Sequence, residues 1–314
     1  DGGTKKVHSE RTPPQMKLLA FLKDIYSPIS GISPRTVKLY EMTLNSWAKF
    51  LGYEPTLGDL KMLPVSQYIA HRLQKNKPAT AAKDRAQIVA LWNSAAKQGY
   101  VEVWPQVRRV RVPEVMPESW TVSEFKLLVQ TARNTKGKIG EIRAGYFWQA
   151  LLLTAYDTGE RISAIMSLRW TDVSGDNLIF RAETRKNSTR DICRKVGAAT
   201  RMSIDLIREP KREKVWPWPY RDTYLWYKYG KILETADLGD LRRNKFHKIR
   251  RTCASFYHLG GGDAQVLLDH SSPAVTRRYL DPRVVGSIDA ASVLPDIIGT
   301  EPTSEDTTEP PQEE

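Results

Sequence analysis

The sequence has very few cysteines, no long apolar segment and no cluster of metal-binding side chains. Cys193 and Cys253 are its only two cysteines, and neither belongs to a CxxC motif or a Cys/His group. This scarcity favours a reducing, cytoplasmic compartment and predicts no zinc site. No apolar run reaches the roughly 18 residues of a membrane-spanning helix, so we expect no membrane partner. The opening stretch DGGTKKVHSERTPP lacks the apolar core of a secretory signal, and no export signal is expected.

Acidic residues are also in short supply outside the C-terminal tail. Residues 300–314 hold six acidic residues and no basic one, so residues 1–299 carry 48 basic against 30 acidic residues, a net charge of +18. A body this basic is typical of proteins that bind nucleic acid, although a solvated basic surface would give the same total. The tail is rich in Pro, Thr and acidic residues and has little to bury, so it is expected to be disordered.

The first half of the chain has the pattern of a small helical unit. Apolar residues recur at spacings of three and four between residues 33 and 52, as on one face of a helix. This face consists of Val37, Tyr40, Leu44, Trp47 and Leu51. Ser33 before Pro34 is a typical helix start, and Gly52 is a typical helix end. Further helices are expected near 14–26, 64–75 and 79–98.

A proline-rich basic segment, residues 104–119, separates this half from the next. It reads WPQVRRVRVPEVMPES, with three prolines, three arginines and no helical period, which is typical of a linker. The predicted order is a flexible N-terminus at 1–12, a helical DNA-binding domain at 13–103, the linker at 104–119, a second domain at 120–298 and a disordered acidic tail at 299–314.

The second half mixes helices with a short hairpin. Thr121 and Glu124 form a capping box at a helix start, and Gly159 is expected to end a strongly apolar helix at 142–157. Strands at 177–182 and near 189–195 predict a β-hairpin. Later helices are expected near 220–235, 247–258, 263–269, 274–280 and 284–294. The predicted fold class is mainly α with a small β-hairpin or sheet.

Six polar side chains at four places are candidates for chemistry. They are Arg161 after the helix-ending glycine, Lys186 in the hairpin turn, His247 and Arg250 three residues apart, and His270 and Tyr279 on either side of a Ser-Ser-Pro break. Each has an ordinary alternative explanation as a capping, turn or surface residue. On one continuous helix His270 and Tyr279 would point to opposite sides, because nine residues make two and a half turns. The break lets two elements aim both rings at one point.

Together these residues suit phosphoryl transfer to a tyrosine. Two guanidiniums can hold the oxygens of a phosphodiester and stabilise the extra charge of a pentacoordinate phosphorus. A histidine can accept the proton of an attacking hydroxyl, and a lysine can protonate a leaving oxygen. A tyrosine hydroxyl is a weak nucleophile that needs such neighbours. The sequence contains no P-loop, carboxylate pair or metal-ligand cluster, so no metal and no cofactor are expected.

At this point the sequence resembles the tyrosine recombinases, the integrase family of site-specific DNA strand-exchange enzymes, over about residues 33–296. TGERIS, HKIR and LLDHSSPAVTRRYLDP match three boxes of the family in order, with a lysine hairpin between the first two. The resemblance implies a helical core-binding domain and an α+β catalytic domain that close on DNA as a C-shaped clamp. The roles it implies are phosphate clamping for Arg161 and Arg250, a phosphate hydrogen bond for His270, protonation of the leaving 5′-oxygen for Lys186, proton transfer at the nucleophile for His247 and attack for Tyr279.

Other basic residues are expected to contact the DNA backbone. They are Lys77, Lys83 and Arg85 around the start of the helix expected at 79–98, Arg108, Arg109 and Arg111 in the linker, and Arg185 and Arg190 beside Lys186. Solvated surface charges would look the same. The resemblance implies a double-stranded DNA partner, a dimer on each site, a tetramer in synapsis and a cytoplasmic, nucleoid-associated enzyme of a mobile element. The segment at 284–294 would dock on a neighbouring subunit or pack within its own.

The sequence departs from the family pattern near the boxes: Arg251 replaces a frequent histidine, the stretch from Arg250 to His270 is a few residues short, and two further positions bear on the site. Ala164 stands where the family usually has an acid, so Glu160 or Asp157 would have to support Arg161 instead. Asp269 stands where glycine is usual. Two alternatives therefore stay open: a type IB-like topoisomerase that works as a monomer, and a catalytically inert DNA-binding protein on the same scaffold.

Overall fold

The computed structural model describes residues 15–185, 190–209, 211–239 and 244–286. The chain divides into two compact units, one ending at Val115 and the other beginning at Met116. Several predicted features lie outside the described residues: the flexible N-terminus at 1–12, Lys186, the C-terminal part of the 284–294 helix and the acidic tail at 299–314.

The first unit is helical, as the spacing of its apolar residues predicts. Its helices are α1 at Leu18–Ala20, which continues through a π-helical stretch at Phe21–Tyr26 into α2 at Ser27–Ser30, then α3 at Pro34–Leu51, α4 at Met62–Lys75 and α5 at Pro78–Lys97. The side chain of Ser33 accepts a hydrogen bond from the backbone N–H of Thr36 at 3.3 Å and so caps α3. Gly52 ends the helix with a φ of 83°, a left-handed conformation that favours glycine.

A buried carboxylate joins three helices inside the first unit. Asp84 on α5 is fully buried and accepts hydrogen bonds from Thr43 on α3 at 2.9 Å and from Arg72 on α4 at 2.7 Å. Tyr68 on α4 donates to the same carboxylate at 3.2 Å, and Lys83 lies 3.1 Å from it. Burial raises the pKa of Asp84, but the hydrogen bonds from Lys83, Thr43 and Arg72 outweigh that effect and lower it.

The second unit combines helices with two small antiparallel sheets. Its elements are α6 at Val122–Arg133, β1 at Lys138–Ile139, β2 at Ile142–Arg143, α7 at Ala144–Thr158, α8 at Ile162–Met166, β3 at Val173–Ser174, β4 at Asn177–Phe180, β5 at Ile192–Lys195, α9 at Ala198–Asp205, α10 at Asp222–Thr235, α11 at Phe246–Leu259, α12 at Ala264–Leu268, α13 at Pro273–Arg277 and α14 at Pro282–Val285. Strands β3, β4 and β5 form one sheet in that order, and β1 pairs with β2. The apolar helix α7 is the centre of the core, with Phe147, Trp148 and Leu151 fully or almost fully buried.

The sequence prediction differs from this unit in three respects. It missed the β1–β2 hairpin and helix α9, and it placed Tyr279 inside a helix. Helix α13 ends at Arg277, and Tyr279 lies in the turn that follows. His270 likewise lies just beyond α12, whose C-cap is Asp269. No helix in the described ranges has the length and apolar character to cross a bilayer.

Replacing Asp84 with asparagine is expected to destabilise the first unit by about 2–3 kcal/mol, because Arg72 and Lys83 would face a buried site without a counter-charge. Hydrogen exchange of the amides in α3, α4 and α5 reports on unfolding of this unit. Glu54→Gln is the control, because Glu54 pairs with Lys17 at an exposed position and its loss should change stability by at most about 1 kcal/mol. Equal effects of the two substitutions would contradict the structural role of Asp84.

Candidate active site

The turn after α7 introduces the first candidate arginine. Gly159 ends α7 with a φ of 61°, and a β-carbon built on it would lie 3.1 Å from the sulfur of Cys253. Both the left-handed backbone and the close contact favour glycine here. Arg161 then stands at the N-cap position of α8 with a partly exposed side chain. Within the described part of the chain its guanidinium makes no hydrogen bond or ion pair, so it remains available to an anion.

Arg250 on α11 is buried at the centre of the site, with 1% of its surface exposed. Its guanidinium donates to the carbonyl oxygen of Gly159 and, at 2.8 Å, to that of Leu268. Nη2 of Arg250, the atom that donates to Leu268, also lies 3.5 Å from Nε2 of His270. One side chain therefore links the turn after α7 to the end of α12 and reaches the histidine.

His270 and Tyr279 come together across the Ser-Ser-Pro break. The centroids of their rings are 4.7 Å apart, although neither residue lies inside a helix. Nδ1 of His270 lies 3.2 Å from the hydroxyl of Thr276 on α13, which fixes the orientation of the imidazole. The expectation that the break aims both side chains at one point agrees with this geometry, whereas the expected helical setting of Tyr279 was wrong.

Two further side chains complete the surroundings of Tyr279. The ring of His247, at the start of α11, has its centroid 6.3 Å from that of Tyr279. The guanidinium carbon of Arg250 lies 5.6 Å from the centroid of the tyrosine ring. The structure thus brings Arg250, His247, His270 and Tyr279 into one cluster. Lys186 is not among the described residues, so its predicted place beside them stays a prediction.

The chain beyond Tyr279 is fastened to the start of the second unit. Asp281 accepts a hydrogen bond from the backbone N–H of Ser119 at 2.6 Å and donates its own N–H to Ser255 at 2.9 Å. The hydroxyl of Ser255 also donates to the carbonyl oxygen of Tyr279 at 3.4 Å. The backbone position of the tyrosine is therefore coupled to Ser119, the last residue of the predicted linker.

Burial, together with the neighbouring arginine charges, keeps the histidines of the site neutral. Burial lowers the pKa of His270 to about 4, and the guanidiniums of Arg250 and Arg161 add to the effect. Partial burial also lowers the pKa of His247, with Arg250 contributing next. Burial lowers the pKa of Arg250 to about 10, while Glu160 acts in the opposite direction and helps to keep the guanidinium charged. At neutral pH the cluster holds the charged guanidinium of Arg250 and two neutral imidazoles.

Neither of the two acids suggested as support for Arg161 contacts it. Asp157 instead accepts hydrogen bonds from the backbone N–H of Gly197 at 2.8 Å and from Thr200 at 2.6 Å. Glu160 is buried and faces other arginines, the nearest being Arg185 at 3.3 Å. Sequence reasoning offered Glu160 or Asp157 as the support of Arg161 and did not predict the partners that the structure gives them.

The predicted DNA contacts have different environments in the structure. Lys77, Arg108, Arg109 and Arg111 are exposed. Arg85 donates to the carbonyl oxygens of Val107 and Arg108, and Lys83 pairs with Asp84. Arg190 is exposed but pairs with Asp269 at 3.4 Å, and Arg185 is buried. Among the described residues, no three His, Cys, Asp or Glu side chains converge as a metal site would require.

The second unit matches a known family. The sequence model of the phage integrase family matches residues 121–284, which is just over half of the chain. The Pseudomonas syringae protein named "Putative tyrosine recombinase XerC" is 29% identical over 177 residues, covering 49% of this chain and 35% of that protein. The chain therefore spans about a third of the length of this curated relative.

Two solved structures share the fold of the chain. A lambda integrase dimer bound to a COC′ core site superimposes with a TM-score of 0.66 at 18% identity, covering 87% of this chain and 79% of that one. The Tn1549 transposon integrase in complex with circular intermediate DNA gives a TM-score of 0.65 at 13% identity, covering 88% and 98%. These similarities confirm the predicted fold class of a mainly helical chain with a small antiparallel sheet.

The imidazole of His270 is expected to titrate with a midpoint of about pH 4 in the folded protein. The ordinary histidine pKa is about 6.5, so folding favours the neutral ring. Stability from this group is complete above about pH 6.5 and is lost as the pH falls through the folded pKa. A pH series of histidine NMR spectra measures the midpoint, and a His270→Gln variant assigns the signal. A midpoint near 6.5 would contradict the described burial of His270 beside Arg250.

Proposed function

Because the chain belongs to the phage integrase family, we propose that it cuts and rejoins duplex DNA at specific sites through a covalent bond between Tyr279 and the 3′-phosphate. The observation that carries this proposal is the convergence of Arg250, His247 and His270 on the ring of Tyr279. A buried arginine beside a tyrosine, with two neutral histidines, suits attack on a phosphodiester better than it suits binding alone.

In the proposed cleavage step, one bond to phosphorus forms while another breaks. The hydroxyl oxygen of Tyr279 attacks the phosphorus, the bond from phosphorus to the 5′-oxygen breaks, and a 3′-phosphotyrosyl ester and a free 5′-hydroxyl result. The tyrosine proton passes toward His247, which is neutral and can accept it. Lys186 protonates the leaving 5′-oxygen. The reverse reaction with a different 5′-hydroxyl joins new partners, and the ester conserves the bond energy that this needs.

The arginines stabilise the negative charge of the transition state. Arg250 is held rigidly by the carbonyl oxygens of Gly159 and Leu268, so little reorganisation is required when charge develops. Arg161 lies close enough to lower the pKa of both Arg250 and His270, and its guanidinium completes the clamp on the phosphate. A neutral His270 donates a hydrogen bond to a non-bridging oxygen.

Duplex DNA and further copies of the chain are the proposed partners. The basic body and the exposed Lys77, Arg108, Arg109 and Arg111 supply phosphate contacts. A solved lambda integrase is a dimer on its core site, and another is a tetramer on a Holliday junction. By analogy, we propose a dimer on each site and a tetramer in synapsis, in the cytoplasm and on the nucleoid, as part of a mobile element.

The Tyr279→Phe variant should form no covalent DNA adduct while keeping its affinity for DNA, because it loses only the attacking oxygen. The substrate is a pool of duplexes of randomised sequence, each with a nick that lets a short 5′-hydroxyl strand diffuse away after cleavage. Denaturing gels detect DNA that travels with protein, and sequencing that DNA gives the site. Tyr227→Phe is the matched control, because Tyr227 is an exposed tyrosine on α10 of the same unit.

Three outcomes separate the candidate functions. An adduct in the unaltered protein and in Tyr227→Phe, but not in Tyr279→Phe, supports the proposal. Adducts spread over all sequences would favour a topoisomerase. Tight binding without any adduct would favour an inert DNA-binding protein and overturn the proposed chemistry.

Affinity for duplex DNA is expected to fall at least a hundred-fold between about 50 and 200 mM salt. A protein that neutralises six or more phosphates releases as many counterions, which makes binding steeply salt-dependent. Fluorescence anisotropy with the Tyr279→Phe variant measures binding without cleavage. An affinity that stays constant over this range would argue against DNA as the partner.

A further inference from the structure

A buried carboxylate lies at the centre of several arginines behind the active site. Glu160 is 3% exposed and directly precedes Arg161 in the chain. Its oxygens lie 3.3 Å from Arg185, 3.9 Å from Arg194 and 4.0 Å from Arg250. The first two arginines belong to the hairpin region, and the third belongs to the catalytic cluster. One acid therefore faces three guanidiniums that come from separate parts of the second unit.

A second acid extends this arrangement to the segment that carries His270. Arg185 has a side chain only 1% exposed and lies 3.0 Å from the carboxylate of Asp269. It therefore bridges two carboxylates, Glu160 and Asp269. Asp269 adopts a φ of 52°, a conformation that glycine adopts more readily than aspartate. Glycine would fit this backbone more easily, but it has no carboxylate. The aspartate pairs with Arg185, which a glycine could not do.

The three arginines hold consecutive positions of the chain just before His270. Arg194 donates to the carbonyl oxygen of Leu267, Arg250 donates to that of Leu268, and Arg185 pairs with the side chain of Asp269. The position of His270 is thus set from β5, from α11 and from the segment after β4. Loss of any one of these contacts would leave the histidine less firmly placed beside Tyr279.

The balance of charge suits a phosphoryl-transfer site. Four guanidiniums, those of Arg185, Arg190, Arg194 and Arg250, lie within 4.0 Å of the carboxylates of Glu160 or Asp269. Without these acids the buried arginines would repel one another, and burial would favour loss of their charge. With them, the buried arginines can keep their charge, and a net positive charge remains to face a phosphodiester. Ala164, which is buried and apolar, contributes no charge here.

We propose that Glu160, Arg185 and Asp269 form a positioning network that holds Arg250 and His270 in place for the scissile phosphate, replacing the acid that Ala164 cannot supply. This network rests on the proposed function, since its purpose is to order a DNA-cleaving site. None of the three residues touches the reacting atoms in this scheme. They act through the arginine and the histidine that do.

The Asp269→Gly variant tests the network with the least disturbance of the fold, because glycine accepts the positive φ at that position. The rate of adduct formation on the nicked duplex pool should fall about tenfold, or about 1.4 kcal/mol in activation free energy. The affinity for DNA, measured in the Tyr279→Phe background, should stay within about twofold. Asp191→Asn is the matched control, because Asp191 pairs with Arg181 at 2.9 Å beside β5 and, among the described residues, contacts neither Glu160 nor Asp269.

A double-substitution cycle tests whether Asp269 acts through Arg185. Arg185→Met should slow adduct formation, and adding Asp269→Gly should slow it no further. Glu160→Gln, which keeps the shape of the side chain, should also slow it and provides a second route if Arg185→Met fails to fold. Thermal unfolding of each variant identifies those that have lost the native structure.

The outcomes separate this network from the proposed function. An unaltered protein that forms no adduct contradicts the proposed function itself. If the unaltered protein forms adducts, then equal rates in Asp269→Gly or Glu160→Gln would overturn the network. The network would also be overturned if the rate losses of Arg185→Met and Asp269→Gly multiplied in the double variant. A variant that lost DNA affinity while forming adducts at an unchanged rate would overturn it as well.

Discussion

The site depends on the buried guanidinium of Arg250 and on the groups that surround it. This guanidinium is a cation almost without access to water, and it is tolerated there because carbonyl oxygens at Gly159 and Leu268 and the carboxylate of Glu160 surround it. These partners come from the turn after α7 and from the end of α12. The arginine therefore organises the backbone around it as well as offering charge to a ligand, and the position of His270 follows from the same contacts.

Much of the fold was predictable because its signals are local. Ser33 and Gly52 bound α3, Thr121 and Glu124 form the expected capping box, and Gly159 ends α7. Each works through its own backbone and a neighbour within about one turn, so a sequence displays it directly. The β1–β2 hairpin was missed for the opposite reason. Its strands have two residues each, and packing of Ile139 and Ile142 in the core supports them more than local preference does.

The residues of the candidate site were easier to predict from the sequence than the contacts that join them. The motifs identified Arg250, His270 and Tyr279, and the structure brings them together. The Glu160–Arg185–Asp269 contacts join residues up to 109 positions apart in the chain, and nothing in the spacing of these charges indicates that they meet. In the sequence Arg185 resembles any basic residue beside a turn, which is why it was predicted to bind DNA. Burial, which only the folded chain reveals, distinguishes a structural cation from a surface one.

The hydrogen bond between Ser119 and Asp281 has a mechanical consequence. It fastens the end of the linker segment to the chain two residues beyond Tyr279, and Ser255 joins both to the core. Any movement that withdraws the tyrosine together with its following residues must also release the linker end. Conversely, any change that separates Ser119 from Asp281 removes a hydrogen bond that holds the backbone after Tyr279 in place. Ser119 and Asp281, 162 positions apart in the sequence, thus hold the end of the linker and the backbone of Tyr279 together.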